Sequence, residues 1–370
     1  MNNASQHPRT IVLAGGGTGG HVLPALALAE AFRSALPDCQ VFFIGTARGM
    51  ESILVPKRGF ALELVPGSRL VGGGISAKLQ GLRALAQGVA VARKLLRARH
   101  VGLVVGVGGY ASGAALLAAK SLGIFTAIHE SNAVPGLTNR VLGKLVRRVY
   151  LGFAAAASSF PRARTVVSGN PVRKEIQSLG SQRAWRGSAP ARILVVGGSQ
   201  GSEFLNREVP GLLAEVAKIT GHLEIRHQVG KLEAGPVLAA YAALGLNARV
   251  DAFIDDMATA YANTDFAITR SGSGTVSELA ACGLPALLVP FPHAAGDHQA
   301  FNAKAFSDAG AGLWVRQGDW QVDVLAPKLG TLIADEAAWR KASVAAAELG
   351  KDDAATAVVA DCLRAMEGHW

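Results

Sequence analysis

Short apolar runs recur along the whole chain, each ending in a glycine-rich or polar turn and separated from the next by a longer amphipathic stretch. "TIVLAGGGTGG" (residues 10–20) and "RILVVGGSQGS" (192–202) each read as a buried strand running into a glycine loop and then a helix. "ASGAALLAAKSLGIFTAIHE" (111–130) and "SGSGTVSELAACGLPALLVP" (271–290) share a second pattern: loop, alanine-rich helix, glycine stop, strand. Strands are predicted at Val41–Ile44, Val101–Val105, Thr126–His129, Ile193–Val196, Ala267–Thr269 and Ala286–Val289. Near-continuous apolar strands alternating with helices indicate parallel sheets covered on both faces. The fold class is therefore α/β, with two Rossmann-like doubly wound domains in tandem.

Length agrees, since 370 residues fit two domains of medium size. The turn formers Gly169, Asn170 and Pro171 mark the boundary, giving an N-terminal domain over 1–168 and a C-terminal one over 169–350. "KDDAATAVVADCLRAM" begins a last helix, within 351–370, with Asp352 or Asp353 as its cap. A 17% share of charged residues against 50% apolar excludes a disordered chain. Cys39, Cys282 and Cys362 lie far apart with no metal-ligand spacing, the pattern of incidental thiols in a reducing compartment. The first ten residues lack an apolar core, so no secretory signal is expected, and the most apolar window, 111–129, is broken by Lys120 and Gly123. The formal charge of +10 favours an anionic partner without choosing among nucleic acid, acidic lipid and phosphorylated substrate.

Chemistry narrows the choice. Gly15, Gly17 and Gly20 fit G-x-G-x-x-G, which would suggest a nicotinamide cofactor. That reading needs an acidic residue at the end of the second strand, and the chain offers Gly45-Thr46-Ala47-Arg48 there, so no cofactor is expected. A glycine turn feeding a helix remains an anion site through its amides and dipole. His21 follows on the first helical turn, where a histidine acts as general base near neutral pH or simply caps and packs. "GVGGYASG" (106–113) is a second such loop, and Gly17, Gly109, Tyr110 and Ser112 are its candidates for a diphosphate of a second substrate. His129, Glu130 and Asn132 end the next strand, at the sheet edge where ligands bind. In the second half, "GGSQG" repeats the anion loop with Ser199 as an added donor. Ser273, Gly274 and Thr275 open a helix suited to a diphosphate, and Glu278 stands where a carboxylate accepts both hydroxyls of a ribose. Asp297, His298, Gln299 and Asn302 follow another strand and suit a hydroxyl-rich ligand such as a sugar. Asp255-Asp256 reads as a helix start, and no metal site is expected.

In order along the chain, "GGTGGHVLPALALAEAF", "GGYASG", "HESNAVPGLTNR", "GNPVR", "VVGGSQGS", "FIDDMATAYANTD", "RSGSGTVSELAACGLPALLVPFPHA" and "DHQAFNA" resemble the bacterial peptidoglycan N-acetylglucosaminyltransferases of glycosyltransferase family 28. The resemblance covers nearly the whole chain from Ile11. It implies the GT-B fold, two Rossmann-like domains facing across a cleft, with the last helix crossing back to the first domain. It implies transfer of N-acetylglucosamine from its uridine diphosphate to the 4-hydroxyl of the muramyl sugar of undecaprenyl-diphospho-muramoyl-pentapeptide, with inversion to a β-1,4 linkage.

Carried onto this chain, donor binding falls on Thr18, Gly19, Gly20, Asn132, Arg173, Ser199, Ile254, the run Ser273, Gly274, Thr275, Val276, Ser277, Glu278, and Gln299. Ile254 would offer backbone groups to the uracil and Glu278 would take the ribose. Many relatives carry alanine and leucine where this chain has Ser273 and Gly274, small residues that leave the amides free. Spacing before Gln299 varies in the family. His21 is expected as the base that deprotonates the acceptor hydroxyl, with Glu130 as its substitute. Loop amides and helix dipoles would stabilise the departing diphosphate.

A lipid-borne acceptor requires access to a membrane. Residues 69–99 interleave Ile75, Leu79, Leu82 and Leu85 with Arg69, Lys78, Arg83, Arg93, Lys94, Arg97 and Arg99, which fits either an interfacial face on anionic lipid or an ordinary core-facing helix with a solvated basic side. With the acceptor implied by the family, the expectation is peripheral attachment to the cytoplasmic face of the inner (plasma) membrane. The family's setting implies cell-wall and division proteins as partners. Rival readings are a UDP-N-acetylglucosamine 2-epimerase or another nucleotide-sugar enzyme of the same fold, and a nucleotide-sugar or nucleic-acid binding module, a single-strand binder being disfavoured because only 6% of the residues are aromatic.

Overall fold

The computed structural model describes residues 8–17, 19–47, 49–66, 75–180, 183–186, 191–198, 200–351 and 353–367, with the backbone alone at 75–79. Of the residues singled out above, Thr18, Arg48, Arg69, Ser199 and Asp352 lie outside this set. The chain forms two compact units, one of Met1–Arg173 with Asp353–Trp370, the other of Lys174–Asp352.

Unit one alternates strand and helix: β1 Thr10–Gly15, α1 Gly19–Ala35, β2 Gln40–Gly45, α2 Glu51–Lys57, β3 Ala61–Leu64 and α3 Ile75–Ala98. It continues with β4 Leu103–Gly108, α4 Gly109–Ser121, β5 Phe125–Glu130, α5 Leu137–Leu142, β6 Arg148–Leu151 and β7 Thr165–Val167. The sheet is parallel, in the order β3-β2-β1-β4-β5-β6-β7. β1, β4 and β5 are buried at every position, which is why they read as unbroken apolar runs. One apolar layer joins Ile11, Leu13, Leu28, Phe32 and Val105, and the other joins Val12, Ile44, Val104, Ala115 and Ile128.

Unit two runs α6 Lys174–Gln177, β8 Ala191–Val196, α7 Glu203–Thr220, β9 Leu223–Gln228, α8 Ala234–Ala243, β10 Ala248–Asp251 and α9 Met257–Ala262. Then come β11 Phe266–Thr269, α10 Ser273–Ala281, β12 Ala286–Leu288, α11 His298–Asp308, β13 Gly312–Trp314, α12 Val322–Ala334 and α13 Glu336–Leu349. Its sheet is also parallel, in the order β10-β9-β8-β11-β12-β13. Side-chain caps start several helices: Ser202 accepts from Leu205 N, Asp256 from Thr259 N, and Asp335 from Ala338 N. Each such cap contributes roughly 1 kcal/mol.

The last helix, α14 Ala354–Glu367, starts under Asp353, whose carboxylate accepts from Thr356 N at 3.1 Å. It packs on α1 of unit one, and Val358, Val359, Cys362 and Met366 enter the layer that holds Leu28 and Phe32. The Tyr150 hydroxyl on β6 donates to Asp361 at 2.8 Å, and Arg148 stands 3.2 Å from the same carboxylate. Apolar burial and two polar ties thus hold α14 to the first sheet.

Candidate active site

In each sheet the connections reverse direction once, between β1 and β4 in unit one and between β8 and β11 in unit two. Such a switch point leaves a crevice at the carboxyl ends of the strands, where ligands bind in doubly wound sheets. The chemistry-bearing loops fall at these two places.

In unit one, α1 opens at Gly19 and Gly20, and His21 sits in its first turn, half-buried. The amide of Gly16 donates to the Gly108 carbonyl at 3.4 Å, so the first and second glycine loops meet backbone to backbone. Gly108 has φ of +107°, and a Cβ there would come within 3.1 Å of His21 Nε2. Glycine at 108 therefore lets the imidazole lie against the second loop.

A carboxylate the sequence reading did not anticipate enters this loop. Glu51, the first residue of α2, is 1% exposed. Its Oε2 accepts from Gly17 N at 2.8 Å, while Oε1 accepts from Thr46 N at 3.0 Å and Thr46 Oγ1 at 2.9 Å. The second strand thus does have an acidic residue beyond its end, but one buried and bonded to the protein's own loops. Gly17, expected to contribute to a diphosphate site, already gives its amide to Glu51.

Ser112 and Tyr110, in the first turn of α4, turn their side chains inward. Ser112 is fully buried with its hydroxyl against Gly106 of β4, inside the helix–sheet contact. The Tyr110 hydroxyl is out of solvent and without a hydrogen-bond partner among the described residues, and its ring edge lies near Gly88 on α3. Gly109, with φ of +80°, meets the Gly16 carbonyl and serves the loop–loop contact.

Glu130 ends β5 and is corrected as a base. Its Oε1 accepts from Asn132 N at 2.9 Å and Asn132 Nδ2 at 3.1 Å, and its Oε2 from Gly136 N at 3.1 Å and Asn139 Nδ2 at 3.0 Å. Four donors occupy a carboxylate that is 1% exposed, so it folds the 130–139 loop and leaves no lone pair for a substrate proton. His129 beside it is fully buried. Its Nε2–H donates to the Gly169 carbonyl at 3.2 Å, and its Nδ1 accepts from Ser131 Oγ at 3.3 Å. Burial holds its pKa down at about 4, with the Gly169 bond opposing and His21 adding to the effect. It is a neutral structural imidazole. Arg173 ends unit one, half-buried.

In unit two, the glycine loop after β8 leads into α7, and the loop after β11 leads into α10, whose first residues are Ser273, Gly274 and Thr275. Ser273 and Val276 are buried, so Val276 can offer only backbone, whereas Gly274, Thr275 and Ser277 are half-buried. Glu278 is buried one turn in and accepts from the Tyr261 hydroxyl at 3.1 Å.

Two residues missed in the sequence organise this edge. Gln228, at the end of β9, accepts from Ile254 N at 3.0 Å and donates to the Gly198 carbonyl at 3.2 Å, tying the glycine loop to the Ile254 turn. The Ile254 amide is thereby used, leaving its carbonyl as the backbone group not so engaged. Arg270 donates to the carbonyls of Val289 and Pro290 at 3.1 and 3.0 Å and to Ser202 Oγ at 2.7 Å. Burial lowers its pKa to about 10, so it remains a fixed cation between the two helix starts.

Gln299 accepts from Phe291 N at 3.0 Å, which fixes its amide group. Asp297 pairs with Arg316 at 2.6 Å, and Asn302 donates to the Ser271 carbonyl at 3.2 Å, so these two brace the loop. Asp256 caps α9, as its position before a helix suggested. Among the described residues, no group of three or more His, Cys, Asp or Glu side chains is placed to hold a metal ion.

Comparison with known proteins agrees with the two-domain α/β fold. Residues 11–151 match the model of the glycosyltransferase family 28 N-terminal domain, and residues 192–358 match that of its C-terminal domain. A Geobacter sp. (strain M21) protein named UDP-N-acetylglucosamine–N-acetylmuramyl-(pentapeptide) pyrophosphoryl-undecaprenol N-acetylglucosamine transferase is 40% identical over 95% of this chain and 94% of its own length. A Myxococcus xanthus protein of the same name is 39% identical over 97% of this chain and 94% of its own. The crystal structure of Acinetobacter baumannii MurG superposes with a TM-score of 0.80 at 31% identity, covering 96% of this chain and all of that one. A Listeria monocytogenes structure described as a putative UDP-N-acetylglucosamine 2-epimerase reaches a TM-score of 0.65 at 14% identity, which is a likeness of fold alone. With both domain models matched in order and relatives aligned end to end, the chain belongs to glycosyltransferase family 28.

Proposed function

We propose that this chain transfers N-acetylglucosamine from UDP-N-acetylglucosamine to the 4-hydroxyl of the muramyl sugar of undecaprenyl-diphospho-muramoyl-pentapeptide, with inversion at the anomeric carbon. The observation that carries the reading is the arrangement at the β8/β11 switch point. There the starts of α7 and α10 flank the Arg270 cation, and Glu278 is held by Tyr261 one turn along. Helix starts and a fixed cation suit a diphosphate, and a positioned carboxylate suits a ribose cis-diol.

In this reading unit two grips the nucleotide. The glycosidic bond to the β-phosphate breaks as the acceptor oxygen attacks, and charge grows on the departing uridine diphosphate. Preorganised donors at α10 and the nearby arginine lower the energy of that charge. His21 takes the acceptor hydroxyl's proton, its ring seated against the second glycine loop of unit one. Gly19 and Gly20, at the start of α1, offer amides to an anionic group of a substrate. Asn132 and Arg173 complete the donor set.

For the membrane, no helix among the described residues is long and apolar enough to span a bilayer. Peripheral attachment to anionic lipid on the cytoplasmic face is supported by α3 and α5, which both pack on α4. Leu82 is 62% exposed, Leu137 64% and Val141 54%, with Arg83, Arg140 and Lys144 exposed beside them in sequence. The α5 share of this surface was not seen in the sequence. The test of the reaction is incubation with labelled UDP-N-acetylglucosamine and the lipid-linked acceptor. Label entering the lipid supports the transferase, and label retained on an altered nucleotide sugar would point to epimerisation instead.

A further inference from the structure

We infer that Glu51 is an internal anion of the first glycine loop, a positioning residue that sets the start of α1 and so aims His21. Glycine loops of this kind ordinarily turn their amides toward a ligand phosphate. Here the amide that closes the loop, Gly17 N, is instead given to the Glu51 carboxylate at 2.8 Å. The peptide on the other side of Gly17 is fixed from the same helix, because Met50 N donates to the Gly17 carbonyl at 3.2 Å. The start of α2 therefore holds Gly17 by both its polar groups, two residues before α1 begins and four before His21.

The surroundings are built to admit this carboxylate. A Cβ at Gly16 or Gly49 would overlap its carboxyl atoms, and one at Gly45 would lie 2.6 Å from its Cγ. Three glycines from two loops thus make the space, and Thr46 supplies two more donors. A buried carboxylate costs several kcal/mol of desolvation unless donors meet it, and here three do. Among the described residues of the loop, Gly16 and Gly17 already give their amides to the protein itself, and the turn at Gly19 and Gly20 is left to meet a substrate.

The chain of effect runs from Glu51 to Gly17, to the first turn of α1, to the His21 ring over Gly108. It rests on the reading that His21 is the base and that Glu278 of unit two holds the nucleotide.

The test uses the full-length protein with Glu51→Gln, which keeps the volume, and Glu51→Ala, which empties the space. Amide exchange is followed by mass spectrometry over 12–22 and 45–52, together with UDP affinity and turnover. Expected are faster exchange confined to those two segments, UDP affinity within about twofold of wild type, and turnover lower on the order of 10- to 100-fold. Formate, a carboxylate small enough for the vacated space, should restore part of the turnover of Glu51→Ala and none of that of His21→Ala. Unchanged exchange in both segments would overturn the inference, as would UDP affinity falling in step with turnover. Should Glu51→Ala fail to fold, Glu51→Gln decides on the same two outcomes, and its own failure to fold would make Glu51 a general stability residue and end the proposal. Exchange needs no substrate, so a wild type that transfers no sugar would refute the proposed reaction while leaving the loop measurement to judge Glu51.

Discussion

Tyr261 on α9 donates its hydroxyl hydrogen to Oε2 of Glu278 on α10 at 3.1 Å, and both side chains are buried. The bond fixes the carboxylate that is proposed to hold the ribose. Glu278→Gln replaces a charged acceptor by a neutral one and should weaken UDP binding on the order of 10- to 100-fold, the worth of a charge-assisted bond or two. Tyr261→Phe removes that bond and keeps the carboxylate, and should cost about 1 kcal/mol of the same affinity. Titration calorimetry with UDP ranks the two.

The buried imidazoles predict an acid limit to stability. His129 and His227 both have pKa values lowered to about 4 by burial, and His227 accepts from Tyr241 and donates to Asn206. In the unfolded chain each returns to about 6.5, so the unfolded state binds more protons between those values. Their contribution is complete above pH 6.5 and is lost as pH falls toward 4, by about 3 kcal/mol for each group. His227→Gln should lower the melting temperature at pH 7.5 yet flatten its fall between pH 6.5 and 5. A fall as steep as that of wild type would contradict the assignment.

Tyr150 ties β6 to α14 through Asp361. Tyr150→Phe leaves Arg148 beside that carboxylate and removes the hydroxyl's bond to Asp361 and its 3.2 Å contact with Cys362 Sγ, so a loss of about 1–2 kcal/mol is expected. Met366→Ala, in the same apolar layer, should cost about 2–5 kcal/mol. Denaturant melts of the two variants measure both.

Leu137→Glu with Val141→Glu should leave the melting temperature near wild type, because both side chains are already more than half exposed. The pair should abolish most sedimentation with anionic vesicles, and in wild type that binding should weaken as salt rises. Equal sedimentation of variant and wild type would remove α5 from the membrane surface.

The legible part of the fold was its centre. β1, β5, β8, β11 and β12 are apolar runs buried on both faces, and each was anticipated within a few residues. Outer strands were missed for a physical reason: β9 alternates exposed Glu224 with buried Ile225 and closes on the polar pair His227 and Gln228, and β3, β7 and β13 span only three or four residues. β4 lies later than expected because Gly106 and Gly108 read as a turn, whereas they are strand positions pressed against Ser112 and His21.

At the site, residues adjacent in sequence to a glycine loop could be proposed from the sequence, since position alone marks them. Glu51, Gln228 and Arg270 act through loops that meet only in the folded sheet. For Glu51 the glycines at 45 and 49 were the trace available. Glu130 misled because a carboxylate at a strand end looks the same whether it faces a substrate or its own loop.

Division of labour between the two units is the claim on which the rest stands, and one paired measurement addresses it: UDP affinity and sugar transfer for His21→Ala beside Glu278→Ala. His21→Ala should bind UDP as wild type does while turning over at least on the order of 100-fold more slowly, as expected for loss of a general base. Glu278→Ala should lose UDP affinity by at least about tenfold. Near-normal turnover in the first, or unchanged nucleotide binding in the second, would contradict the account.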